Sequence, residues 1–189
     1  MRISLDSKEK LIESIRQHQI DAAQEFVNAT VDALNTDQGV HAETAVAGAA
    51  RMAGTFLFRS FGFSMKDIQP GQVVLSDIAN EQGPILIEIL GIVLSQTGVV
   101  LDGEEYGSAA GAENQPNLSF LETQRRLEPK YSAIREHYGL SLQEAAETCA
   151  VATAMLIQES STVLDPNVAF NIAVYGFIEG TKTAPDPVS

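Results

Sequence analysis

The sequence predicts an all-α fold: a single-domain helical bundle of about six helices. Three observations carry this. Apolar residues recur at three- and four-residue steps along nearly the whole chain. Ser7, Ser141 and Asp165-Pro166 supply helix starts, and Gly39 and Gly98 supply stops. Consecutive β-branched residues are confined to short runs, of which Val73-Val74-Leu75 and Val99-Val100-Leu101 leave room for no more than a minor two-stranded β ribbon.

The first helix is expected from about Ser7 to Asn35. Leu11, Ile15, Ala22, Phe26, Ala29 and Ala33 form its apolar side, Ser7 caps it, and Gly39 follows its end. His18 sits at the edge of that side and reads as a partly buried, hydrogen-bonded histidine. The second helix, about His41 to Phe61, is built of Ala and Gly and then turns bulky at Phe56, Leu57, Phe58 and Phe61. Small side chains let neighbouring backbones approach closely, so this helix needs neighbours on several sides.

Pro70-Gly71 is turn chemistry. From Ser76 to Thr97 a helix is expected in two pieces, because Gly83-Pro84 removes a backbone donor. The second piece, Ile85 to Gln96, is apolar almost all round, with Glu88 alone among Ile87, Ile89 and Leu90. A mobile acidic loop is expected over 102–117. The helix from about Ser119 to Tyr138 carries Pro129 and is expected to be interrupted there. Ser141 with Glu144 opens a further helix whose stripe is Leu142, Ala145, Ala146, Cys149, Ala152 and Leu156. Pro166 opens the last helix, which is apolar on most sides and ends near Gly180. The domain is thus 1–180, and 181–189 is expected to be a frayed tail.

Composition narrows the function. Of 189 residues, 44% are hydrophobic, enough for a core, while 25 acids against 12 Lys and Arg give a net charge of −13. That balance argues against nucleic acid and against an anionic membrane surface as partners. One cysteine allows no internal disulfide, and a cytoplasmic setting fits. Cys149 lies on an apolar stripe and reads as an inert small hydrophobe. Zinc-type spacing, Glu-x-x-His pairs, a nucleophile elbow and a phosphate-binding glycine loop are all missing, so neither metal nor cofactor is expected. Asp102-Gly103-Glu104-Glu105 offers carboxylates but not an EF-hand spacing.

Between Asp67 and Gln124 there are nine acids and no Lys or Arg. This is either a solvated surface or a face for a basic partner. Three helices with apolar or small residues on more than one side exceed what a small bundle encloses, which predicts a homo-oligomer. The expectation is therefore a soluble, acidic interaction protein that binds another macromolecule, as an adaptor or as a neutraliser of a basic protein. The alternative is a small-molecule-binding protein or enzyme. Its pocket would use Arg51, Thr55 and Arg59, which share one face of the second helix, with Glu88 or His41 as acid or base. The same Arg–Glu constellation also reads as a buried ion pair that fixes helix packing. Both readings place Glu88 against Arg51 or Arg59.

Overall fold

The computed structural model describes residues 17–101 and 114–187. The architecture is all-α. Its helical segments, in chain order, are α1 (Gln17–Leu34), α2 (Ala42–Ser60), α3 (Asp77–Gln82), α4 (Pro84–Gln96), α5 (Phe120–His137), α6 (Leu142–Ser160) and α7 (Pro166–Lys182). Residues 7–16 of the expected first helix and residues 102–113 of the expected loop, including the Asp102 cluster, lie outside the described residues.

The Ala-rich α2 is the central helix. Every residue from Thr44 to Phe58 except Arg51 is buried, and α2 packs on α7, α6, α5 and α1. Its closest neighbour is α7, which runs parallel to it. A Cβ on Gly176 would lie 2.8 Å from the Ala50 Cβ, and one on Gly54 would lie 2.6 Å from the Thr181 nitrogen. Gly176 and Gly180, four apart on α7, thus face the Ala47–Ala50–Gly54 side of α2. Absent side chains allow this close approach, which replaces side-chain burial by backbone contact.

Bulk supplies the rest of the core. Phe26 of α1, Phe56 of α2 and Tyr131 of α5 pack ring against ring, with the Phe26 and Tyr131 centroids 4.5 Å apart. The buried Tyr131 hydroxyl meets Thr30 Oγ1 at 2.6 Å, and Thr30 in turn donates to the Phe26 carbonyl. Capping boxes at Ser119/Glu122 and Ser141/Glu144 start α5 and α6. Asp165 caps α7 through its carboxylate.

Three expectations are corrected. The ribbon between 73–75 and 99–101 does not form; Val73 instead makes an isolated bridge with Thr183. Pro129 does not divide α5, which runs unbroken through it. Its exposed ring lies on the outer face, and the helix is tied down on both sides of it, by Thr123 and Glu128 to α2 and by the buried Tyr131. These ties outweigh the roughly 3 kcal/mol a proline costs inside a helix.

Residues 181–187 do not fray. The Ala184 amide donates to the Gln72 carbonyl, the Gly71 amide donates to the Ala184 carbonyl, and Ala184 is fully buried. The segment therefore continues the domain. The apolar α4 lies at the side of the bundle. It packs mainly on α6 and leaves Ile85, Ile87 and Ile92 half-buried.

The break at Gly83-Pro84 forms as the sequence implies, with Ser76 capping α3. Gly83 keeps helical angles (φ −54°, ψ −40°), so α4 continues the line of α3 as a rod interrupted by one missing hydrogen bond.

Candidate functional site

Arg51, Thr55 and Arg59 follow one side of α2, but their partners are not those expected from the sequence. The Arg51 Nε donates to Glu179 of α7 at 2.7 Å, and its Nη1 donates to the Leu118 carbonyl and Thr123 Oγ1. Arg59 makes a two-pronged pair with Glu128 of α5, at 2.6 and 3.0 Å, and also donates to the Asp186 carbonyl. Both guanidiniums therefore bolt α2 to its neighbours.

Glu88 sits half-buried on α4 and has no hydrogen bond or ion pair among the described residues. The expected meeting of Glu88 with Arg51 or Arg59 does not occur, because α4 lies against α6 and not along the arginine side of α2. His41 bonds Thr44 Oγ1 through Nδ1 at 2.8 Å and approaches Glu43. Thr44 Oγ1 also accepts from the Asn117 amide, so this cluster ties the end of the 102–117 segment to α2. Thr55 is fully buried, and neither its hydroxyl nor that of Thr181 has a hydrogen-bond partner among the described residues.

A cleft of about 450 Å³ does lie beside Arg51. Ala47 and Gly176 line it with Pro116, Ile172, Tyr175 and the Arg51–Glu179 pair. The volume suits a small ligand. Its arginine, however, already holds a carboxylate and two further acceptors, so the cleft offers an incoming anion little unspent charge.

Cys149 is buried, and burial pushes its thiol well above the usual range. This matches an inert cysteine. His18 is half-buried. Among the described residues no three His, Cys, Asp or Glu side chains gather as a metal would require.

The outer face of α7 is the more distinctive surface. Tyr175 is 53% exposed and Ile178 44% exposed, on the side of α7 away from α2. Ile178 borders three hollows: the Arg51 cleft, a second of about 520 Å³ reaching Val73 and Phe120, and a third of about 210 Å³ reaching Ile87 of α4. Val73 and Leu75, 62% and 80% exposed, extend the apolar surface past the end of α7. Lys182 closes the ridge, and its ammonium has no partner among the described residues. Exposed Asp77 and Glu81, with half-buried Glu88, line α3 and α4 alongside.

None of Tyr175, Ile178 or Lys182 stands out in the sequence as a site residue. A signal is present: residues 175, 178, 179 and 182 make a three-and-four stripe that is polar at one end. It is masked because the glycines of the opposite face read as apolar too.

Among the described residues, the Asp77–Gln96 rod is also long and apolar enough to cross a membrane by length and composition. It carries Glu81 and Glu88 and the Gly83-Pro84 break. No protein-family model, curated protein or solved structure matches the chain.

Proposed function

We propose that the protein acts by binding another macromolecule, as an acidic interaction protein of the adaptor or neutralising kind, through the outer face of α7 and the adjoining α3–α4 rod. The observation that supports this best is Ile178 standing exposed between three hollows, with Tyr175 exposed beside it at the Arg51 cleft, where an apolar helix would otherwise be covered. Large anchors with a charged rim are the usual anatomy of a protein-binding surface. The rim on the α3–α4 side carries Asp77, Glu81 and Glu88 in a stretch with no Lys or Arg, which favours a basic partner. Arg51, Arg59 and Glu88 do not converge, so the small-molecule reading rests on the cleft beside Arg51 alone.

A photo-activated cross-linking residue placed at Tyr175 in the native cell tests this. The expected result is a discrete macromolecular adduct at Tyr175 and none from the same probe at Ile20, which is exposed on α1. Equal labelling at both positions, or none at Tyr175, contradicts the proposal.

A further inference from the structure

We infer that the α7 end of this face binds a second copy of the same chain, with the two α7 helices antiparallel across a two-fold axis beside Gly180 and Thr181. The inference rests on the interaction reading above and names one partner for that face. Two features of the surface are self-complementary. The first is charge. Glu179 and Lys182 lie one turn apart on the exposed side of α7. Glu179 gives one carboxylate oxygen to Arg51 and remains 41% exposed, while the Lys182 ammonium has no partner among the described residues. In an antiparallel pair Glu179 of each copy faces Lys182 of the other, so both contacts form twice. An unpaired cation in a chain of net charge −13 is thereby matched without a foreign acid.

The second feature is shape. Each copy carries both a knob and a hollow. The knob is Leu75. The hollow is the 520 Å³ depression whose lining includes Val73, Phe120, Leu121, Ile178, Lys182 and Thr183. The segment holding the knob runs along the end of α7, since the Val74 amide donates to the Lys182 carbonyl and Val73 bridges Thr183. The pairing that places Glu179 opposite Lys182 also places Ile178 opposite Thr183, and so beside Val73 of the second copy. One two-fold operation thus covers Val73, Leu75 and Ile178 in both copies and leaves the α3–α4 acids on the rim of the assembly.

Sedimentation equilibrium of the full chain over a range of concentrations tests this. The expected mass approaches twice 20.3 kDa. Lys182→Glu places like charges opposite one another, and Leu75→Asp puts a charge into the hollow. Each should raise the dissociation constant at least about tenfold, the equivalent of 1.4 kcal/mol, while Ile20→Asp should not. Leu75 lies outside every helix and is 80% exposed, so its variant keeps the fold even if Lys182→Glu does not. A monomer at every concentration overturns the inference, as does a dimer indifferent to Leu75→Asp. An adduct at Tyr175 that contains only a different macromolecule also overturns it, but leaves the interaction reading standing. No adduct of any kind removes both.

Discussion

Gly180 of α7 lies so close to Gly54 of α2 that a methyl group on Gly180 would sit 2.9 Å from the Gly54 Cα and 3.0 Å from the Thr55 nitrogen, and closer still to the Arg51 carbonyl. The obstructing atoms are all backbone. They cannot swing aside as a flexible side chain would. Gly180→Ala therefore separates α2 from α7, and the expected loss is about 3 kcal/mol, the upper part of the usual cost of overpacking. A methyl group on Gly91 of α4 would meet no atom within 4 Å. Gly91→Ala is expected to stabilise by about 0.5–1 kcal/mol through helix propensity alone. Urea denaturation of the two variants should move the midpoint in opposite directions.

Two ion pairs made by α5, one largely buried and one exposed, give a graded test of charge pairing. Arg59 and Glu128 are each 15% exposed and joined by two hydrogen bonds. Glu128→Ala leaves a largely buried guanidinium without its carboxylate, and the expected cost is about 3 kcal/mol. Arg125 pairs with Asp186 at 2.6 Å but is 60% exposed. Arg125→Ala should cost far less than Glu128→Ala, because water screens such pairs. Equal losses would mean that burial does not set the strength of these pairs.

The unpartnered hydroxyl of Thr55 predicts the opposite sign for a loss of polarity. Thr55→Val keeps the shape and removes a buried oxygen that has no hydrogen-bond partner among the described residues. The expected change lies between zero and a gain of about 1 kcal/mol. A loss of several kcal/mol in thermal or chemical denaturation would show that the hydroxyl is engaged.

Alkali should weaken the fold. Burial, and then the neighbouring Cys149 thiol, hold the Tyr131 phenol well above its usual range, and burial also raises the Cys149 thiol. In the unfolded chain these groups lose their protons near about 8.5 for the thiol and 10 for the phenol. Above those values the unfolded state binds fewer protons than the folded one, so stability falls as pH rises. The denaturation midpoint should therefore drop between about pH 8 and pH 11, and Tyr131→Phe with Cys149→Ala should flatten that drop. For the same reason a thiol reagent should label Cys149 only as the protein unfolds.

Much of the fold is legible in the sequence because its signals are local. Ser119, Ser141 and Asp165 announce their helices through side-chain oxygens that reach backbone amides three residues on or fewer. The Gly83-Pro84 break follows from one missing donor. Tertiary pairing is not legible in the same way. The spacing of Arg51 and Arg59 correctly puts them on one side of α2, yet nothing local says that Glu179 and Glu128, rather than Glu88, complete them. The anchoring of 181–187 is hidden because its hydrogen bonds run to Gly71 and Gln72, more than a hundred residues away. Proline-rich composition alone describes a loose end.

The most direct test of binding through the outer face of α7 is the native size of the protein in a fresh cell extract, compared between the wild-type chain and Ile178→Glu. Ile178 is 44% exposed at the meeting point of three hollows, so its variant should melt as the wild type does. The wild-type chain should elute well above its own 20.3 kDa, and Ile178→Glu should elute as a lone chain. Identical elution of the two, with both folded, would contradict a role for this face in binding.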